Sequence, residues 1–328
     1  MFRARPRGLH FSPGSGLLAF ATSVGAVFLV LLVFDFIPAR AHQAPPAAKL
    51  RIMTWGTNNT PEWKNILHLS GFREGCSDSP QSCMRSLAAF SHDPNIRIFL
   101  AIRLDPKTAA SYGQQYSALS LQNPSLEEIS LDDFAGQYQK LFHQRVADPA
   151  AVVNSLIDGL KSRNHNLHFG ITLYEDELTS DYLSDSKFPK SLRARVDNIH
   201  LFLHYASDAP NYRTYVNAMK SYFPNAGVIA GVYAYDRITY LPCGPSSSQL
   251  CTPQQEKDYF TQSLDTAVQL LQQEEVSWIE FYPGEFGREA QWGGWHEPRA
   301  CTQKIEDCVN LTLQLRQIVA DRFKKLFG

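Results

Sequence analysis

The sequence predicts an α/β fold, a (β/α)8 barrel of TIM type, irregular in places, and three observations predict it. From residue 50 onward the apolar pattern switches regularly between period two and period 3.6, so strand-like runs alternate with helices of barrel length. No Gly-rich phosphate turn follows the first strand-like run, where Trp55-Gly56-Thr57-Asn58-Asn59 stands instead, so a doubly wound nucleotide fold ranks lower. Polar, aromatic and acidic residues gather directly after the strands, where barrel enzymes place their sites.

Strand-like runs cover residues 50–55, 96–104, 167–174, 199–205, 227–235 and 276–282. Helical periodicity covers 83–90, 131–144, 149–163, 212–222, 253–273 and 304–327. Two helix starts are specified by their caps: Asp148 precedes Pro149, and Thr252 precedes Pro253. A closed barrel needs two further strands, expected to be short or to lie within 105–131.

The N-terminus carries Arg3, Arg5 and Arg7 ahead of an uncharged apolar run at 17–34, followed by Ala39-Arg40-Ala41. A basic segment, an apolar segment and a small-residue site make a secretion signal, with cleavage after Ala41. The apolar run is also long enough for an uncleaved signal anchor, and both readings stay open. Either way the basic end faces the cytoplasm and the remainder lies outside it, touching a membrane only through that segment. Residues 1–41 are thus signal or anchor, 42–49 with Pro45-Pro46 a flexible linker, and 50–328 the barrel domain, expected to be monomeric. Lys plus Arg number 31 against 32 Asp plus Glu, and no basic stripe appears in the domain, which argues against nucleic acid. Six cysteines fall into the close pairs Cys76/Cys83, Cys243/Cys251 and Cys301/Cys308. In an exported chain local disulfides are the simplest pairing, and the absence of CxxC speaks against zinc.

Candidate chemistry sits at strand ends. Glu175, Asp176 and Glu177 are consecutive after Tyr174, and three carboxylates at short range raise one another's pKa, as a general acid requires. In 276–282, period two turns Trp278, Glu280 and Tyr282 to the barrel interior, where a carboxylate is costly unless paired or used; the plain alternative is an ion pair with an inward Arg such as Arg103. Glu285 follows in the next loop. Asp236 ends the run that carries Tyr233 and is a further candidate acid. His204 with Tyr205 suits substrate hydrogen bonding, whereas His200, on the same strand face, reads as a satisfied core residue; Arg103 is a candidate substrate contact. Trp292 and Trp295 stand in a Gly-rich loop, and with Tyr233 and Tyr282 they offer flat rings suited to sugar faces.

In these features the chain resembles, at the level of architecture, the TIM-barrel glycoside hydrolases, whose acids end a central and a late strand. The resemblance implies Glu175 or Glu177 as general acid and Glu280 as nucleophile or base, with Asp236 as a further catalytic candidate. It lacks Asn-Glu-Pro before the acid and the Asp-x-x-Asp-x-Asp-x-Glu run of chitinases. The expected activity is hydrolysis of glycosidic bonds in a polysaccharide or glycan outside the cytoplasm, without cofactor or metal. Two alternatives stay open: a noncatalytic carbohydrate-binding envelope protein, and a metal-dependent hydrolase on the same barrel.

Overall fold

The computed structural model describes residues 51–56, 61–90, 93–233, 243–244, 251–282 and 305–327. Eight strands form a closed barrel: β1 (Ile52–Trp55), β2 (Gly71–Cys76), β3 (Arg97–Ile102), β4 (Leu126–Leu131), β5 (His168–Tyr174), β6 (Asn198–Phe202), β7 (Gly227–Tyr233) and β8 (Trp278–Tyr282). Every neighbouring pair is parallel, and β1 closes on β8 with Met53 beside Glu280. The described helices are α1 (Pro61–Leu67), α2 (Pro80–Ser86), α3 (Ala109–Gln122), α4 (Phe134–His143), α5 (Pro149–Leu160), α6 (Lys190–Arg193), α7 (Tyr212–Tyr222), α8 (Pro253–Gln272) and α9 (Ile305–Phe327). All described residues lie in the unit Ala47–Gly328, and none of the described helices is long and apolar enough to cross a membrane. The N-terminal signal or anchor and the linker fall outside the described residues.

The cap residues act as their chemistry demands. Asp148 accepts from the Ala151 amide at 2.9 Å at the start of α5, and Thr252 with Gln255 forms a reciprocal capping box at the start of α8.

Two expectations change. The helix expected at 131–144 starts at Phe134, because Leu131 still belongs to β4. Of the two missing strands, β4 lies within 105–131 but β2 lies far upstream of it. Both have polar inward rows, so neither shows an apolar alternation: β2 turns Gly71, Arg73 and Gly75 inward, and β4 turns Glu128 and Ser130 inward. Helix α3 is hidden for a different reason. It buries Gly113, Ser117 and Ser120 against α5, and a Cβ on Gly113 would overlap the Leu156 carbonyl, so close backbone approach replaces an apolar stripe.

The main core lies between the strands and the helices, while a separate cluster of Met53, Phe99, Ile229 and Trp278 plugs the inside of the barrel. Disulfides join Cys76 to Cys83 and Cys243 to Cys251. Cys301, of the third expected pair, lies outside the described residues.

Candidate active site

Side chains inside the barrel stack in three layers, because inward residues recur at every second position on each strand. The apolar plug is lowest. Above it lies a polar layer of Arg73, Ser130, Thr172, His200 and Glu280, with Glu128 one step below Ser130 on β4, all buried. Above that, Trp55, Tyr174, Phe202, Tyr233 and Tyr282 line a cleft of about 1180 Å³ that reaches down to Arg73, Asp132 and Glu280. Tyr282 meets Trp55 edge-on at 5.8 Å and Tyr233 edge-on at 5.4 Å, so the rings present polar rims and flat faces in one enclosure.

Arg73 organises the floor. Its Nη2 donates to Thr172 Oγ1 at 2.7 Å and to Ser130 Oγ at 3.1 Å, and its Nη1 donates to Glu280 Oε1 at 3.3 Å. The same Nη2 is 3.6 Å from Asp132 Oδ1, and the Trp55 ring covers the guanidinium at 4.6 Å. His200 stands between two acids, with Nδ1 2.5 Å from Glu280 Oε2 and Nε2 2.6 Å from Glu128 Oε1. Glu128 also accepts from Asn198 Nδ2 at 2.7 Å. Its carboxylate fits inside the barrel because residue 170 on the next strand is glycine, whose missing Cβ would otherwise overlap it.

These contacts set the charges. Burial alone would push the Glu280 carboxyl up, but Arg73 and His200 outweigh it and hold Glu280 below the usual carboxylate range. Burial and the Arg73 cation pull His200 down, yet Glu128 and Glu280 win and raise it. Asp132 is shifted the other way: burial raises it, Arg73 only partly offsets this, and Asp133 and Glu280 add to the rise. Its side chain is still 40% exposed, so solvent moderates that rise, but the direction stands. Asp133, in the left-handed region at φ 44°, accepts from the Tyr174 hydroxyl at 3.0 Å. The Tyr174 oxygen in turn meets the Tyr233 hydroxyl at 2.8 Å.

The three consecutive acids after β5 are placed beside the cleft rather than among its lining residues. The Glu175 carboxylate accepts from the His204 amide at 2.8 Å and from the Tyr205 amide at 3.4 Å. Asp176 Oδ1 is 2.7 Å from His204 Nδ1, and Glu177 accepts from the Tyr174 amide at 2.9 Å. Burial pushes both Glu175 and Glu177 up to about 8; the backbone donors oppose it, and Asp176 adds to the rise in each. Mutual repulsion is therefore present, as the sequence implies, but burial is the larger cause. Among the described residues, Glu175, Asp176 and His204 form a group whose ligand atoms lie within 4.8 Å of one another, which is where a cation could be held.

Of the remaining expected residues, Tyr233, Tyr282 and Arg103 line the cleft. Arg103 follows β3 in an exposed position, and the cation that pairs with Glu280 is Arg73. His204 and Tyr205 lie past the end of β6, with the His204 ring stacked on Tyr174 at 3.6 Å. Asp236, Glu285, Trp292 and Trp295 lie outside the described residues. Sequence reasoning missed Arg73, Glu128 and Asp132. The signal was present in residues 126–133, where Glu128, Ser130 and Asp132 alternate at the period of a strand with a polar inner face.

No family model matches the sequence, and no curated protein is similar to it. Solved structures share its architecture. An endo-1,4-β-xylanase from Caldicellulosiruptor owensensis matches with a TM-score of 0.50 at 7% identity, over 75% of this chain and 88% of that one. An exo-β-1,4-mannosidase from an Opitutaceae bacterium matches with a TM-score of 0.49 at 8% identity, over 82% of this chain and 60% of that one. The β-glucuronidase 2 of Bacteroides uniformis matches with a TM-score of 0.48 at 13% identity over 71% of this chain, which covers 30% of the length of that protein. At 7% identity the xylanase match is a likeness of fold, the closed eight-stranded parallel barrel.

Proposed function

We propose that the protein hydrolyses glycosidic bonds of a polysaccharide or glycan, with Asp132 donating the proton and Glu280 acting as the ionised carboxylate. One observation carries this reading: Asp132 and Glu280 touch the same guanidinium, yet their pKa values are displaced in opposite directions. Two carboxyl groups whose surroundings push them apart supply an acid and a base at one pH. The placement of the cations explains the division. Arg73 at 3.3 Å and His200 at 2.5 Å both lie against Glu280, whereas Arg73 is farther from Asp132 at 3.6 Å, so Asp132 is the acid left to hold a proton.

The aromatic walls support a sugar substrate, since C–H faces stack on rings while hydroxyls take hydrogen bonds from the tyrosine rims. Arg103, Tyr233 and Tyr282 are substrate contacts in this scheme. Glu175 and Glu177 brace the segments after β5 and β6 through backbone amides, and Asp176 with His204 and Tyr205 extends the same edge. Asp236, which follows β7 in sequence, is proposed as a further catalytic candidate, and Glu285, Trp292 and Trp295, which follow β8, as further substrate contacts. Export is proposed from the basic and apolar N-terminal segments, and disulfide bonds suit an oxidising compartment.

A second reading, carbohydrate binding without turnover, is favoured by one fact: the Glu280 side chain is 1% exposed and both its oxygens are paired. Reducing-end release from a panel of glycans separates the two, measured for the wild type, Asp132→Asn and Glu280→Gln. Hydrolysis that falls roughly 10²–10⁴-fold in both variants supports the proposal. Undiminished hydrolysis in both overturns the residue assignment, and tight glycan binding with no hydrolysis establishes the second reading.

A further inference from the structure

Glu128 and His200 are not among the residues that line the cleft, yet both are held in one connected run of hydrogen bonds. Neither is exposed at all. The connected run is Asn198 Nδ2 to Glu128 Oε2 at 2.7 Å, Glu128 Oε1 to His200 Nε2 at 2.6 Å, and His200 Nδ1 to Glu280 Oε2 at 2.5 Å. It ends on the one member, Glu280, that reaches the cleft floor. Glu280's other partner, Arg73 Nη1, is farther at 3.3 Å and shares its guanidinium with Ser130, Thr172 and Asp132. The carboxylate's orientation therefore rests chiefly on the imidazole.

A buried run of charges is expensive, and apolar residues of similar volume commonly serve stability as well or better. Here the barrel also gives up a side chain at Gly170 so that the Glu128 carboxylate can reach the histidine. We propose that Glu128 and His200 are positioning residues: Glu128 fixes the imidazole with both ring nitrogens engaged, and the imidazole fixes the Glu280 carboxylate. The inference rests on Glu280 being the reacting carboxylate. The charged and titratable groups facing the run are Arg73 from β2, Asp132 from the end of β4 and Tyr212 from α7. With a carboxyl oxygen within 2.6 Å of each ring nitrogen, an imidazole that carries both protons donates to both acids at once.

Two measurements test this independently. In the full chain labelled with 15N-histidine, and with His200→Asn used for assignment, the ring nitrogens of His200 are expected to remain doubly protonated at pH 7 and well above the pH at which free imidazole loses its proton. A neutral His200 with a single tautomer at pH 7 overturns the proposal. This arm needs neither substrate nor activity, so it stands even if the glycosidase reading fails. In the second arm, Glu128→Gln is expected to lower kcat by about 10²-fold with KM within about twofold, the effect of misplacing a reacting group. The acid limb of its kcat/KM profile should move to higher pH, and Glu128→Asp should recover part of kcat. An unchanged kcat and an unchanged acid limb in a folded Glu128→Gln protein overturn it. If that variant does not fold, the wild-type spectrum alone decides.

Discussion

Asp132, one residue past β4, and Glu280, on β8, a strand that is not a neighbour of β4 in the barrel, meet through Arg73, whose Nη2 lies 3.6 Å from Asp132 and whose Nη1 lies 3.3 Å from Glu280. A planar guanidinium can present two nitrogens to two different acids at once, which an ammonium cannot do with the same geometry. The arrangement makes Arg73 the residue on which both the charge state and the spacing of the two carboxyl groups depend.

Arg73→Met is accordingly expected to destabilise the fold by about 3–5 kcal/mol, because it leaves buried carboxylates without their cation. Arg73→Lys should recover only part of this, since the fork to Ser130, Thr172 and Glu280 is lost. Urea unfolding of the three proteins checks both statements; a wild-type midpoint for Arg73→Met contradicts them.

Gly170→Ala should cost about 1–3 kcal/mol through overpacking against the Glu128 carboxylate, and Gly231→Ala a similar amount against the Phe202 ring. Gly136→Ala is the control, since nothing lies near the added methyl. Thermal melts compare them directly: the first two should melt several degrees lower than the control.

The dependence of stability on pH follows from Glu175, whose folded-state pKa of about 8 stands above the ordinary 4.5. Between these values the folded form holds a proton that the unfolded form has released, so stability falls as pH rises through that window. Glu177 acts in the same direction. Glu280 acts oppositely: its depressed pKa contributes stability above pH 4.5 that is lost as pH falls through the folded value. Unfolding free energies at pH 5 and pH 8 should therefore differ less in Glu175→Gln than in the wild type, and an equal difference would count against the buried placement of that carboxyl.

The Cys76–Cys83 bridge closes a short loop beside the cleft, with Cys76 itself in the lining. Replacing both cysteines with serine should lower stability by about 2–3 kcal/mol on chain entropy alone. A reductant titration followed by circular dichroism should show the same loss in the wild type and none in the double variant from this bridge.

Much of the barrel was legible because most strands carry apolar residues on at least one continuous face: residues 167–174, 227–235 and 276–282 read as strands, and each contains one. The inward placement of Glu280 also followed from period two alone. What stayed hidden was hidden by the site itself. β2 and β4 turn Arg73, Glu128 and Ser130 into the barrel, so the residues that build the polar layer erased the apolar alternation by which strands are found. The acids of 175–177 drew attention as a run, but a run says nothing of direction. The Glu177 carboxylate turns back to the amide of Tyr174, and Glu175 turns to the amides of His204 and Tyr205, partners that the barrel brings near. Asp132 was one residue beyond a strand that the sequence did not reveal.

The most direct test of the central claim, that Asp132 and Glu280 divide acid and base work on one guanidinium, is kcat/KM against pH for wild type and Asp132→Asn on the best glycan. The account predicts a bell for the wild type, with Glu280 deprotonation setting the acid limb and Asp132 protonation the alkaline limb. Asp132→Asn should lose the alkaline limb together with most of the rate. A variant profile that keeps both limbs and the wild-type height would contradict the assignment.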